Sequence, residues 1–300
     1  MAMVAVLADP PVEGFVLPEL VAETPLSAAE AARLYGAMTV DVCRAVQHGG
    51  ADLLVNYRDP AQVPGDVDSE ARLRDLLDGE LEAPADARFE VQVGETLAGR
   101  AGNTVTHLIE GEGEPTVAVV DPTAAFLGRE QIGSAAMKLR SSDVVLGPAG
   151  GGRVYYAGFA GPVDFAGAYA PPALATLTDR AREAGLDVDF LPRLPVVETG
   201  ADLADALVTV PTVLRPVRWY DRVRWGGRAA YCACVESRCP REPASPVKLA
   251  DLSLLPPPKF TARWVALGPP LQNLGVLTPL VPVEAGAVFS PRTSISPTVW

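Results

Sequence analysis

The stretch TVAVVD, Thr116 to Asp121, constrains the fold more than any other part of the chain. It is an uninterrupted apolar run, bounded by Gly113 and Pro122 and ending on a carboxylate. A run without polar alternation is buried on both faces, as in a parallel sheet covered by helices. MVAVL (Met3–Leu7), DLLVNY (Asp52–Tyr57), FEVQV (Phe89–Val93), DVVL (Asp143–Leu146) and VYYAGF (Val154–Phe159) read as companion strands. Amphipathic stretches alternate with them. Ser27 and Glu30 form a capping-box pattern ahead of apolar residues at helical spacing, and Gly49-Gly50 stops that helix after His48. Further helices are expected over Asp68–Leu81, Glu95–Glu110, Arg129–Leu139, Pro172–Gly185 and Ala201–Thr209, with Asp187–Val197 extended. The expected class is α/β: a three-layer, mostly parallel sheet with helices on both faces. Ligands of such sheets bind at the carboxyl ends of the strands. Function is therefore sought after Leu7, Asp121 and Leu146, and near Glu198.

Charge divides the chain. Residues 1–214 hold 14 Lys and Arg against 32 Asp and Glu, whereas residues 215–300 hold 11 against 5. The first part has one lysine, Lys138, and no basic stripe, which argues against nucleic-acid binding. An acidic, lysine-poor surface suits a halophile's cytoplasm, where salt screens self-repulsion; the alternative is an acidic protein from a high-GC organism. No run approaches the roughly 18 apolar residues of a membrane span. The opening MAMVAVLADPP turns acidic too soon for a signal peptide, so a cytoplasmic protein with no membrane partner is expected. A domain over 1–214 is thus followed by a Pro/Trp-rich basic extension over 215–300, with all four tryptophans and 13 of the 29 prolines. That extension reads either as a separate, poorly ordered segment or as an out-of-frame GC-rich stretch. Its Cys232, Cys234 and Cys239 form a cluster without a nearby histidine.

Four segments in order carry a family resemblance: FEVQVGETLAGR (Phe89–Arg100), TVAVVDPT, DVVLGPAGGGRVYYAGF and VVETGADL. Together, from about Met3 to Val208, they resemble glycosyltransferase A-fold proteins of the arsenosugar-biosynthesis glycosyltransferase-like group. These are distantly similar to 2-phospholactate and molybdopterin guanylyltransferases. The resemblance implies a nucleotide-diphospho-sugar transferase type of sheet and a nucleotide or nucleotide sugar as partner. It also implies a divalent cation, Mg²⁺ or Mn²⁺, held by Asp121 and Glu198. Asp9, Gly14, Arg100, Gly151, Gly152 and Arg153 are the nucleotide-binding candidates it suggests. Gln92, Gly94, Leu97 and Arg100 match the family's helix motif, and Glu198 stands where its second aspartate would.

Two departures bear on the phosphates. In EGFVLPEL the family's Lys and Arg positions are Leu17 and Glu19. In the hairpin, the acidic residue before the glycine pair is Gly150 or Gly151. Gly150, Gly151 and Gly152 lie between two strands and lack the spacing of a phosphate loop, so they read as a tight turn lining a pocket. His48 and His107 lie on helix patterns without Cys or His partners. Two function classes follow: a glycosyl or nucleotidyl transferase, or a non-catalytic binding module that retains the fold.

Overall fold

In a computed structural model, which describes residues 2–213, the chain forms one seven-stranded sheet in the order β3-β2-β1-β4-β6-β5-β7. The strands are β1 Met3–Ala8, β2 Asp52–Tyr57, β3 Arg88–Val91, β4 Val117–Val120, β5 Val144–Pro148, β6 Val154–Phe159 and β7 Val188–Phe190. All neighbours pair in parallel except β6, which runs antiparallel to both β4 and β5. The exception follows from the glycine turn. Gly150–Gly152 make a single 3-10 turn too short for a crossover, so β6 returns as a hairpin.

Helices cover both faces: α1 Pro18–Glu23, α2 Ala28–His48, α3 Ser69–Leu77, α4 Leu97–Thr106, α5 Arg129–Lys138, α6 Ala173–Glu183 and α7 Gly200–Val213. Alternate residues of each strand feed opposite layers. Val4 and Val6 pack with Val42 and Val46 of α2, Leu73 of α3 and Ile132 of α5. Ala5 and Leu7 pack instead with Ala101 and Val105 of α4 and Leu177 of α6. Both layers are apolar, which is why β1 and β4 carry no polar alternation. A third cluster joins α1 to α2 and α7 through Leu20, Met38 and Leu203. The Ser27–Glu30 capping box forms: the Glu30 N–H donates to Ser27 Oγ (3.3 Å) and the Ser27 N–H to Glu30 Oε2 (2.9 Å).

Three details differ from the sequence reading. EGFVLPEL is not all loop, because Pro18 starts the short helix α1 with Leu17 as its left-handed cap, φ 52°. The α4 pattern closes in a π turn over His107–Gly111. Only Val188–Phe190 of the expected 187–197 extension pairs as a strand; beyond it Leu191 and Leu194 keep single bonds to Leu146 O and Pro148 O of β5. No helix among the described residues is long and apolar enough to cross a membrane. Residues 215–300, with the cysteine cluster, lie outside the described residues.

Candidate functional site

The carboxyl ends of β1, β2 and β4 carry three charged residues, Asp9 level with Arg58 and Asp121 level with Leu7. Asp9 follows β1, Arg58 follows β2 and Asp121 follows β4, in a parallel register. Arg58 grips Asp9 with two bonds, from Nε to Oδ1 (2.8 Å) and from Nη2 to Oδ2 (3.0 Å). The Asp9 N–H donates to the Tyr35 hydroxyl of α2 (3.0 Å), and Arg58 lies 5.6 Å from the Phe15 ring. The Asp9 carboxylate is thereby committed to an arginine.

Asp121 is held differently. Its Oδ1 accepts the Thr123 N–H at 2.8 Å, an Asx turn just after β4. The Thr123 hydroxyl donates to Glu198 Oε1 at 3.1 Å, so one threonine links the two carboxylates. Burial pushes the Asp121 carboxyl up to about 7, and the nearby negative charge of Glu198 pushes the same way. Bonds from Thr123 only partly offset this, and Asp9 adds to the rise.

A cavity of about 390 Å³ opens on this pair, with Glu19, Arg153, Tyr155 and Tyr169 also on its wall. Arg153 is occupied. Its Nη1 donates to Glu198 Oε2 (2.9 Å) and Asp202 Oδ2 (2.8 Å), and its Nη2 to Asp202 Oδ1 (2.6 Å). Burial raises the pKa of Asp202, but the bonds from Arg153 and Thr199 outweigh it and leave the carboxyl below its usual range. A groove of about 440 Å³ is lined mainly by side chains of α2 and α3, such as Arg33, Arg72 and Asp75. It lacks a carboxylate at a strand end paired with a second one, as Asp121 after β4 is with Glu198 ahead of α7, so we place the site in the smaller cavity.

The other sequence candidates fall in different places. Gly151 lines the cavity in left-handed backbone, φ 66°. Gly152 has φ 73°, and a Cβ there would meet Pro172 at 3.0 Å. The turn therefore packs against the segment before α6. Gly14, also left-handed, is not on the cavity wall, and a Cβ there would meet nothing within 4 Å. Arg100 is buried on α4, its Nη1 donating to Glu95 O (2.9 Å) and its Nε without a partner among the described residues. Burial first, and then Arg58, weaken its hold on its proton.

Leu17 and Glu19 separate. Glu19 lines the cavity, whereas Leu17 is a core residue of the α1–α2–α7 cluster, only 7% exposed. A lysine cannot replace Leu17 without burying an ammonium group. Leu17→Lys is expected to destabilise the fold by a few kcal/mol, roughly 2–4, read by urea denaturation. Glu19→Arg is expected to leave stability within about 0.5 kcal/mol and to tighten nucleoside diphosphate binding roughly tenfold by calorimetry. Weaker binding by the Glu19→Arg variant would show that Glu19 does not face the phosphates.

Three site residues had no sequence signal of their own: Arg58, Thr123 and Tyr35. Arg58 was findable, since it occupies the position on β2 that Asp9 occupies on β1. His107 gains partners that the sequence did not indicate. With Glu90 and Glu112 it offers ligand atoms within 4.8 Å of one another. Arg88 already bonds both glutamates, which leaves an ion-paired surface cluster.

A protein from Desulfovibrio desulfuricans G20, provisionally assigned as a nucleotide-diphospho-sugar transferase, superposes with a TM-score of 0.61. The likeness covers 76% of this chain and 95% of that one, at 21% identity. The fold is of the nucleotide-diphospho-sugar transferase type. Two further structures match at lower scores. A CMP-2-keto-3-deoxy-manno-octonic acid synthetase solved with CTP has a TM-score of 0.43 at 10% identity, covering 71% of this chain and 99% of its own. The 4-diphosphocytidyl-2C-methyl-D-erythritol synthase of Anaerococcus prevotii has 0.42 at 12%, covering 69% and 96%. No protein-family model matches the sequence, and no curated protein matches it.

Proposed function

We propose that the chain is a transferase acting on a nucleotide-activated donor, moving a glycosyl or nucleotidyl group, with a divalent cation held by Asp121 and Glu198. One observation carries this reading: two carboxylates from distant parts of the chain meet through Thr123 over a cavity at the carboxyl edge of the sheet. They fit a hard divalent cation. Carboxylate oxygens are its preferred ligands, and Mg²⁺ is commonly held by one or two carboxylates plus substrate phosphates. The repulsion that raises Asp121 is what a bound cation relieves. Such an ion would neutralise the diphosphate of the donor and its leaving group. The protein's own contribution is positional. Thr123 orients both carboxylates, the Arg58–Asp9 pair stiffens the β1 end, and Tyr155 and Tyr169 wall the cavity from water.

The narrower assignment, to the arsenosugar-biosynthesis glycosyltransferase-like group, rests on the sequence resemblance, as does the nucleotide-sugar partner; a halophile's cytoplasm rests on the acidic, lysine-poor composition. A second reading, a non-catalytic binding module, has its own support. Glu19 lines the cavity with the metal-ligand pair, and Arg153 is already bonded to Glu198 and Asp202. Thermal melting with UDP, CDP or GDP, with and without Mn²⁺, tests the first reading. At least one nucleotide is expected to raise the melting temperature only when Mn²⁺ is present. Ligand at about 100 times its dissociation constant adds roughly 2.7 kcal/mol, or about 5–10 °C for a domain of this size. Stabilisation without release of nucleotide from any nucleotide sugar supports the second reading. No stabilisation by any of the three rejects the first.

A further inference from the structure

We infer that Arg153 is a built-in counter-cation for the metal-ligand pair, passing one N–H from Glu198 to a phosphate oxygen when a divalent cation enters; this rests on the cation site proposed above. The guanidinium is fixed by bonds that do not involve Glu198. Its Nε donates to Gly150 O of its own turn (2.8 Å), and Asp202 takes a forked pair at 2.8 and 2.6 Å. Asp202 is itself anchored, since its Oδ2 accepts the Glu198 and Thr199 N–H groups (3.2 and 3.0 Å) at the start of α7. The remaining contact, Nη1 to Glu198 Oε2 at 2.9 Å, can break while the guanidinium stays in place.

Glu198 therefore stands between two claimants. Its Oε1 is tied to Thr123 beside Asp121, and its Oε2 to Arg153. A divalent cation at Asp121 competes with Arg153 for this carboxylate. When Glu198 turns to the ion, one Nη1–H on the cavity wall loses its acceptor. A phosphate oxygen is a strong, charge-assisted acceptor for the guanidinium N–H so released. Cation and phosphate are then positively coupled through Arg153, because each makes the other's binding more favourable. Without the ion, the Nη1–H that bonds Glu198 is not available to phosphate.

The probe is Mn²⁺ alone, titrated into the full-length chain by paramagnetic resonance at high salt to suppress surface binding. Arg153→Met removes the competitor and is expected to tighten Mn²⁺ about tenfold. In Asp202→Asn the side chain still caps α7 but no longer draws charge from Arg153, which then holds Glu198 harder; Mn²⁺ is expected to weaken several-fold. The two variants move in opposite directions, whereas a purely structural role would weaken both. Inorganic pyrophosphate, added with saturating Mn²⁺, is expected to bind the Arg153→Met variant at least tenfold more weakly than the unmodified protein. Melting curves check that each variant folds, and Asp202→Asn alone decides the direction if Arg153→Met does not. Mn²⁺ affinity that falls or stays level in Arg153→Met, or rises in Asp202→Asn, overturns the inference. If Glu198→Gln leaves the Mn²⁺ affinity unchanged, the cation site itself is removed, and this inference with it.

Discussion

Asp121→Asn is expected to weaken cation-dependent nucleotide binding on the order of 100-fold while making the cation-free protein more stable above neutral pH. The two effects share one cause. Burial, then Glu198, then Asp9 raise the Asp121 carboxyl to about 7, so its ionised form is held in the folded chain against a cost. Below about pH 4 the folded and unfolded states both carry the proton, and the cost is absent. Between about pH 4 and 7 the unfolded chain has released the proton and the folded chain keeps it. Stability therefore falls as pH rises through this window, and the full cost remains above it. Each unit of displacement is worth about 1.4 kcal/mol; since the side chain keeps an open edge at the cavity, the net cost is on the order of 2–4 kcal/mol. Asparagine keeps the Oδ1 acceptor for the Thr123 N–H and carries no charge. Urea midpoints of the two proteins are expected to coincide near pH 4 and to separate by pH 8, with the variant the more stable. Losing a charged ligand should weaken nucleotide binding in Mn²⁺ on the order of 10²-fold. An affinity equal to that of the unmodified protein would take Asp121 out of the site.

The alternation of elements was legible because it is a burial pattern. Met3–Ala8 and Val117–Val120 are buried along their whole length, and an unbroken apolar run says so directly. The Ser27–Glu30 box is local chemistry and forms as its spacing requires. Less legible was α1, whose six residues and left-handed cap leave too short a period to detect. Its cap explains why EGFVLPEL misleads: Leu17 and Glu19 are two residues apart, yet one enters the core and the other the cavity. The site was legible as a set of strand ends and not as a set of contacts. Thr123 and Glu198 are 75 residues apart, and Asp9 and Arg58 are 49 apart. The sheet order makes the second pair by setting β1 beside β2; the first is made where the segment before α7 returns to β4, the Val197 N–H donating to Thr123 O (3.0 Å), and neither leaves a local trace in the sequence. The hairpin glycines could be assigned to a turn because their spacing excludes a strand-to-helix loop. That Arg153 just beyond them would spend its donors on Glu198 and Asp202 had no counterpart in the sequence.

Gly147→Ala is expected to be the most damaging small substitution near the site. Gly147 of β5 faces Tyr156 in the β5–β6 register, and the ring of Tyr155 lies against its backbone. A Cβ at residue 147 would stand 2.5 Å from Tyr155 Cζ and 2.7 Å from Cε1 and Cε2. Those distances are far inside contact, and the ring has no room to yield. Tyr155 is 1% exposed, and its hydroxyl donates to Pro192 O at 2.9 Å. Overpacking of this kind costs about 1–3 kcal/mol, and loss of the Pro192 bond adds about 1. The expected total, about 3 kcal/mol, lowers the melting temperature by roughly 6–12 °C for a domain of this size. The injury should also reach the chemistry. Tyr155 lines the cavity, and its bond steadies the chain that runs from β7 to Glu198. Nucleotide affinity in Mn²⁺ is expected to fall along with stability. A second substitution separates the clash from a general intolerance of the strand. Tyr155→Leu removes the ring atoms that the new methyl group would strike, at its own cost in packing. In Gly147→Ala/Tyr155→Leu the two losses should fall short of their sum by about 1–2 kcal/mol, the signature of residues in contact. Strict additivity in urea denaturation would locate the damage in the β5 backbone and remove Tyr155 as the reason that residue 147 is glycine.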